Sequence, residues 1–220
     1  MSPAPLSHKL FPSIRPMVFP TVPSVSFPIA PQFFSKAYSL NLPSLVPSTE
    51  IPALLRNIHR GLAPRGTLHL TVIDPAPVRA TVGPRMQAWL DERLLLNLQR
   101  HFRCMSPSQL LPSWLADAQL RGEGSMITKL KFPAVTLSGL GPGAACGDGR
   151  SGGRNGAENQ DVEVEAELRS EVARMLWNEV WGQYVTADKW WWEDSDILEE
   201  CRRLDTYWEV RMIEAVKQQS

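Results

Sequence analysis

The segment Ile51–Pro75, IPALLRNIHRGLAPRGTLHLTVIDP, joins a helix pattern to a strand pattern. Its first part repeats apolar side chains at i, i+3, i+4, i+7 and i+11, as one face of a helix does. Ser48 and Thr49 are candidate caps for this helix, which we expect to end before Pro64. Thr67–Ile73 is apolar on both faces, which is typical of a central strand in a covered, parallel sheet. The segment therefore predicts a helix that leads into an interior strand.

Further elements are expected downstream. We expect a helix over Pro84–Phe102, with the Phe102 side chain inward, and a short helix opened by a capping box at Ser106–Gln109. Strand patterns follow at Ser125–Val135 and Tyr207–Val216. Helices that alternate with strands in this order predict an α/β fold.

Two helices are expected between these last two strands. The first, Asp161–Tyr184, is acidic and amphipathic, and its expected apolar face carries Leu168, Val172, Met175, Leu176, Val180 and Trp181. The second begins at Asp194 or the next residue, because an acidic or hydroxyl side chain can cap its first turn.

Composition divides the chain into a leader, a folded unit and an insertion. Residues 1–37 hold eight of the 19 prolines and no acidic residue, which predicts a disordered leader. Residues 38–217 are expected to form the folded unit. It is interrupted by a flexible insertion over residues 138–160, which contain eight glycines.

Charge and cysteine usage exclude several classes of protein. The formal net charge is +0, although residues 1–137 hold 14 Lys and Arg against 6 Asp and Glu. The arginines are scattered rather than clustered, so we expect no nucleic-acid partner. The opposite charges of the two halves are expected to attract each other within one fold. No apolar stretch approaches about 20 residues, so no membrane span is expected. Three cysteines without a CxxC pair favour neither disulfides nor a metal site, and we expect a cytoplasmic protein.

Ile51–Pro75 resembles the fourth-helix-to-fifth-strand stretch of class I S-adenosylmethionine (SAM)-dependent methyltransferases of the type 11 kind, and is most similar to their fungal members. The family pattern is a helix with a basic end, a Leu-x-Pro-Gly-Gly turn and a strand that ends in an acid. Here the turn is Leu62–Gly66, with Arg65 in place of the first glycine. Tyr38–Pro43 is similar to the segment just after the family's fourth strand.

This resemblance covers about residues 38–137 and 161–217. It implies an α/β fold, namely an incomplete Rossmann-like methyltransferase sheet that lacks its first strands and carries helices on its faces. The family holds SAM with a first strand that ends in an acid and a glycine-rich turn, and nothing before Tyr38 supplies either. We therefore expect a truncated, carboxyl-terminal half of the domain, in which the binding of SAM by this chain alone, and hence enzyme activity, stays open.

Ligands of open α/β sheets lie at the carboxyl ends of the strands, near the switch in strand order. The resemblance places Tyr38, Ser39 and Asn41 on the cofactor side of this edge. The family's glycine-rich turn, absent before Tyr38, is imitated downstream by Gly139-x-Gly141-x-Gly143. If this motif were genuine, it would imply a permuted fold. We favour a chance match there, because Leu137 stands where the family has its acid and no helix pattern follows.

The substrate side is expected at Asp74, Trp190 and Trp191. Asp74 can orient a substrate or act as a base, but Asp-Pro is also an ordinary start of a turn. The tryptophans can line an aromatic pocket, or they can lie at the edge of the core. His59 and His69 show no metal-ligand spacing, which favours structural or surface roles. No catalytic residue is nominated, because methyl transfer depends mainly on in-line positioning.

Two functions therefore stay open at the level of the sequence. The first is SAM-dependent methyl transfer to a small-molecule acceptor. The second is that of a non-catalytic remnant or interaction module, which binds a partner through an exposed sheet edge. Unpaired backbone groups along such an edge pair readily with another chain, so we expect a dimer.

Overall fold

The computed structural model describes residues 30–135 and 155–218, which form a four-stranded sheet with helices on both faces. The predicted leader up to residue 29 and most of the predicted insertion lie outside the described residues. The strands are β1 Phe34–Ser39, β2 Leu62–Ile73, β3 Met126–Pro133 and β4 Tyr207–Val216. The helices are α1 Leu42–Leu45, α2 Ile51–Gly61, α3 Pro84–Leu90, α4 Leu96–Arg100, α5 Pro107–Asp117, α6 Asn155–Trp181 and α7 Ser195–Arg203. A π-helical segment, Asp91–Leu95, joins α3 to α4.

The strands lie in the order β1-β2-β4-β3. β1 is parallel to β2, whereas β4 runs antiparallel between β2 and β3. Parallel neighbours cannot be joined by a tight turn, so the chain crosses from β1 to β2 through α2. The α/β class and the interior position of β2 are confirmed. The sheet is mixed rather than parallel throughout, because the last strand inserts in the opposite direction.

Strand β2 contributes buried side chains to a core on each face of the sheet. Leu68, Leu70 and Val72 are at most 3% exposed and pack in the core formed with α2 and α5. Ile73 points to the other face and packs with residues of α3, α4, α6 and α7. Alternate side chains of a strand point to opposite faces, so one strand contributes to two cores. Full burial of each such side chain contributes about 1.5–3 kcal/mol.

The parallel pair begins earlier in the chain than the sequence predicts. β1 begins at Phe34, so residues 34–37 of the predicted disordered leader form a strand, and Tyr38 and Ser39 lie within that strand rather than just after it. β2 begins at Leu62 rather than Thr67. The two extensions pair with each other across an irregularity, since Phe34 lies opposite Leu62 and Lys36 opposite Thr67. Pro64 breaks the apolar alternation in this stretch, so only the pairing with a second strand reveals it as a strand.

Three expected caps have different outcomes. Ser48 and Thr49 lie in a short 3-10 turn and make no side-chain cap for α2. Ser106 likewise makes no side-chain cap for α5. Asp194 is confirmed, because its carboxylate accepts hydrogen bonds from two backbone N–H groups in the first turn of α7. The wrong cases have in common that the N-terminus of the helix packs against other elements, which replaces the local cap.

Helix α6 buries only the carboxyl-terminal part of the face predicted. Val180 and Trp181 are at most 1% exposed, as predicted, whereas Leu168, Val172 and Met175 are 62%, 43% and 71% exposed. Trp177, which the prediction did not place on this face, is also buried, and the indole N–H groups of Trp177 and Trp181 donate to the backbone carbonyls of Pro75 and Ile73. A buried indole contributes a large apolar area when its N–H group finds such a partner. Within the described ranges, no helix has the length and apolar character needed to cross a membrane.

Five described non-glycine residues have a positive φ, and two of them, Arg65 in the irregular start of β2 and Phe102 after α4, bear on the sequence predictions. Arg65 has φ of 61°, and it stands where the resembled family has glycine. Phe102 has φ of 54° and is 72% exposed, so the expectation of an inward side chain is wrong. Bulky L residues are strained in this conformation, which glycine adopts freely.

We predict that Arg65→Gly stabilises the protein by about 1 kcal/mol, because the strain of an L residue with positive φ is larger than the entropy that glycine adds to the unfolded chain. Urea unfolding followed by circular dichroism measures the change. Arg65→Ala is the matched control, since it removes the same exposed side chain and keeps the strain. Equal stability of the two variants would show that the turn is not strained.

Candidate functional site

The carboxyl ends of the parallel strands define one edge of the sheet. Ser39, the last residue of β1, pairs with Leu70, and β2 continues to Ile73. Asn41 lies two residues beyond β1 and Asp74 directly follows β2. The fold therefore brings Ser39, Asn41 and Asp74 to the same edge, at which ligands of open α/β sheets lie.

The Tyr38 side chain belongs to a sheet face rather than to this edge. Its ring stacks on the ring of His69 in β2, with 4.6 Å between centroids and 12° between planes, and Tyr38 is 71% exposed. His69 also lies 3.0 Å from the hydroxyl of Thr67 through Nε2. The sequence alone does not show which face of the sheet the Tyr38 and Ser39 side chains point to, because that depends on which face of β1 is covered by other elements.

Asp74 holds the N-terminus of α5. Its carboxylate accepts hydrogen bonds from the backbone N–H of Ser108 at 2.9 Å and from the Ser108 hydroxyl at 2.5 Å. Arg211 of β4 donates to the Ser108 carbonyl at 2.5 Å and pairs with Glu209 at 2.8 Å. The carboxylate that was a candidate base or turn residue is thus a helix cap that reaches across 34 residues.

Burial raises the pKa of the Asp74 carboxyl above its usual value. The hydrogen bonds from Ser108 and the positive charge of Arg211 oppose this rise but do not cancel it. A carboxyl group with a raised pKa at a sheet edge can take part in proton transfer more readily than an ordinary aspartate.

The two tryptophans predicted for the substrate side differ in burial. Trp191 is 1% exposed and packs at 5.3 Å from Trp208, so it is a core residue. Trp190 is half-buried and stacks on Trp192 with 4.7 Å between centroids and 4° between planes. Trp177 contacts both stacked rings and donates its indole N–H to the carbonyl of Pro75 at 2.9 Å. The cluster therefore adjoins the residue after Asp74.

An open depression lies beside the chain that follows Asp74 and Pro75. It is lined by Ala76, Pro77, Arg79, Val82, Gly83, Pro84 and Gln87. A Cβ at Gly83 would collide with the side chain of Glu200, whose buried carboxylate accepts the backbone N–H groups of Arg85 and Met86. Glu200 thereby holds α3 against α7 and supports one wall of the depression.

Sequence reasoning missed a group of residues that closes the same edge from α4 and the chain after α6. The Tyr184 hydroxyl donates to the carbonyl of Ser44, just beyond β1, at 2.7 Å. The side-chain amide of Asn97 donates to the Tyr184 carbonyl at 3.0 Å and to the Thr186 hydroxyl at 2.9 Å. These residues are separated by up to 140 positions, so no local spacing indicates that they meet.

The remaining titratable candidates are structural. Burial and the nearby charge of Lys217 lower the pKa of His59. Burial raises the pKa of the thiols of Cys104 and Cys201, which are free and buried. In the described part of the chain, no three His, Cys, Asp or Glu side chains lie close enough to hold a metal ion.

Comparison with known proteins finds resemblance at the level of structure. No family model matches the chain, and no curated protein matches it in sequence. Two similar structures are of phosphoethanolamine N-methyltransferase 2 from Haemonchus contortus, one in complex with SAM and one with phosphomonomethylethanolamine and S-adenosylhomocysteine. Each has a TM-score of 0.41, with 10% and 12% identity over 87% of this chain.

This chain spans only 35% of the length of those two methyltransferase structures. A third similar structure is that of a putative methyltransferase from Bacillus halodurans C-125, with a TM-score of 0.37 and 13% identity. There the match covers 88% of this chain and 74% of the other. The structural neighbours thus include SAM-dependent methyltransferases of low sequence identity.

We predict that the free energy of unfolding of the wild-type protein, taken relative to that of Asp74→Asn, is larger at acidic pH than at neutral pH. The folded-state pKa of Asp74 is raised, so between the unfolded pKa near 3.8 and the higher folded value the unfolded state binds fewer protons. Stability owed to Asp74 is therefore greatest below this window and declines as pH rises through it. Urea unfolding of both proteins between pH 3.5 and pH 7 gives the difference. A constant difference would mean that the Asp74 pKa is not raised.

Proposed function

We propose that this chain forms the acceptor side of a SAM-dependent methyltransferase-like domain whose acceptor is a small molecule. The single observation that carries the proposal is the parallel β1–β2 pair, joined through α2 where the sequence resembles the family's fourth-helix-to-fifth-strand stretch. The finer assignment, to the type 11 kind and its fungal members, rests on the pattern of Ile51–Pro75.

The residues at the carboxyl edge support two roles. Tyr38, Ser39 and Asn41 are proposed for the cofactor side, with Ser39 and Asn41 at the edge itself and Tyr38 presenting its ring beside it. Asp74, Trp190 and Trp191 are proposed for the acceptor side. In this arrangement Trp191 supports the pocket wall from the core, and Trp190 presents the more accessible ring.

The residues present fit only part of a SAM site. Residues 30–47, which contain β1 and the chain beyond it, hold no glycine that would let the backbone approach the methionine part of SAM. They also hold no acid for the ribose hydroxyls. We therefore propose that the described residues form a half-domain that supplies only part of a cofactor site.

In a completed site, SAM would supply an electrophilic methyl group. The described residues would orient the acceptor, exclude water and hold its proton. Asp74 suits the last task, since burial has raised its pKa and Ser108 fixes both carboxylate oxygens.

A second function is favoured by the free side of β1. Among the described strands, β1 pairs only with β2, and Phe34 and Tyr38 are 38% and 71% exposed along it. An unpaired edge with apolar side chains suits a non-catalytic interaction module that binds another chain by strand addition. We also propose a cytoplasmic location, which the buried free thiols of Cys104 and Cys201 support.

Titration of the full chain with SAM separates the two functions. We expect binding tighter than about 1 mM if the site can form, and about three- to tenfold weaker binding for Asn41→Ala, which removes one ligand hydrogen bond. The Asn41 side chain makes no cap bond in α1, so the fold should tolerate the change. Gln218→Ala is the control, because Gln218 follows β4 and lies at the end of the sheet opposite to the carboxyl ends of β1 and β2. A flat titration of folded protein would favour the interaction module.

Sedimentation of the full chain tests the free edge. We expect a concentration-dependent dimer that Tyr38→Lys weakens, because lysine on an edge strand discourages pairing. Met175→Lys is the matched control, since both side chains are 71% exposed and Met175 lies on α6. A monomer at every concentration would count against edge pairing, and a dimer lost only in Met175→Lys would move the interface to α6.

A further inference from the structure

The turn that follows α4 has a strained and exposed aromatic residue at its centre. The backbone N–H of Arg103 donates to the Leu98 carbonyl at 2.8 Å, which closes the helix end in the way that usually places glycine at the position before. Phe102 occupies that position, with φ of 54° and 72% exposure. Both the backbone strain and the exposed ring are unfavourable, and neither contributes to the core. Strain of this kind is concentrated at ligand sites.

Arg103 is half-buried and has two nitrogens without a hydrogen-bonding partner. Its Nε and Nη1 atoms are buried and make no hydrogen bond with any described residue. Among the side chains that the structure describes, no carboxylate forms an ion pair with it. The guanidinium lies 5.5 Å from the centroid of the Tyr184 ring, which offsets only part of the cost of burying a charge. A guanidinium offers only hydrogen-bond donors on a positively charged group, so an anion is the partner that best satisfies it.

The position of Arg103 relative to the sheet is held from three sides. The Ser48 backbone N–H donates to the Phe102 carbonyl at 2.8 Å, which ties the turn to the chain beyond β1. Tyr184, beneath the guanidinium, donates to the Ser44 carbonyl, and Asn97 holds the Tyr184 backbone. The cation is therefore supported by residues that also form the carboxyl edge.

The His101 side chain adds a second polar group on the same ring. Its imidazole lies 5.5 Å from the Tyr184 ring, and His101 itself is exposed. The turn presents two nitrogen-bearing side chains around one aromatic ring, with Phe102 exposed between them. A ligand with an anionic group and an apolar body would complement this arrangement.

We propose that Arg103, supported by Tyr184 and His101, binds the carboxylate or phosphate group of a small-molecule ligand at the carboxyl edge of the sheet. That the ligand is the methyl acceptor or SAM rests on the proposed function, whereas the anion site itself does not. The chemistry is shared by two sources, an anionic acceptor and the carboxylate of SAM. Guanidinium forms directed, charge-assisted hydrogen bonds with either.

Nuclear magnetic resonance of the full, ¹⁵N-labelled chain tests the site. The Nε–Hε signal of Arg103 is the one lost in Arg103→Lys. We expect inorganic phosphate and acetate to move this signal in a saturable way that chloride at equal ionic strength does not reproduce. Backbone shifts of residues 101–103 then give affinities for variants. Arg103→Gln should weaken phosphate binding about tenfold or more, because it removes a charge-assisted bond.

Arg100→Gln is the matched control, since it removes an equal but exposed charge three residues away and should change affinity less than about twofold. An Arg103 signal that phosphate and acetate leave unmoved would overturn the proposal. So would equal weakening by Arg100→Gln. If Arg103→Gln does not fold, Arg103→Lys keeps the charge, and its thermal stabilisation by phosphate should fall below that of the wild type.

Repeating the titration with SAM distinguishes the sources of the anion. If SAM moves the Arg103 signal and prevents the phosphate shift, the carboxylate of SAM occupies the site. If SAM binds and phosphate still moves the signal, the anion belongs to the acceptor. If phosphate binds while SAM does not, the anion site stands and the proposed methyltransferase function fails.

Discussion

The parallel pairing of β1 with β2 is the constraint on which the arrangement of the candidate site depends. Two adjacent parallel strands require the chain to return along the sheet, and α2 makes that return. The carboxyl ends of both strands then lie at one edge, so Asn41 and Asp74 become neighbours of the same region although 33 residues separate them. The antiparallel β4 fixes the other side of β2, so β1 lies at one edge of the described sheet and β3 at the other.

The edge itself is assembled by hydrogen bonds between distant segments. Asp74 reaches forward to cap α5, and Tyr184 reaches back to the carbonyl of Ser44. Each bond joins a side chain to backbone, so the turns at this edge are held in place without regular structure of their own. Two side chains suited to chemistry lie at this edge, the buried Asp74 carboxyl with a raised pKa and the Arg103 guanidinium. Asp74 already serves the fold as the cap of α5, whereas no described contact satisfies two of the Arg103 nitrogens, which is why Arg103 points to a ligand.

Periodicity predicted those elements whose burial is one-sided and strong. α2 follows the expected apolar spacing, β4 has the expected bounds, and β2 is interior as its two apolar faces indicate. The same reasoning was only partly right for α6, where Val180 and Trp181 are buried but Leu168, Val172 and Met175 are exposed. Spacing ranks all of them as apolar and does not state which ones meet a neighbour. The candidate site shows the same difference. The sequence locates Asp74 because this residue follows a predicted strand, whereas no local pattern marks Arg103 or Tyr184.

The sequence by itself determined the α/β class, the order of the main helices and strands from α2 onward, and the position of Asp74 at a strand end, because these follow from local periodicity and from turn-forming residues. Asn41 was placed by the resemblance to a known family. Only the tertiary structure decided that β4 inserts beside β2, that Trp177 rather than Met175 is buried, and that Arg103 lies over Tyr184. Those outcomes depend on contacts between residues far apart in the chain, and the free energy of such contacts exceeds the local preferences that a sequence pattern records.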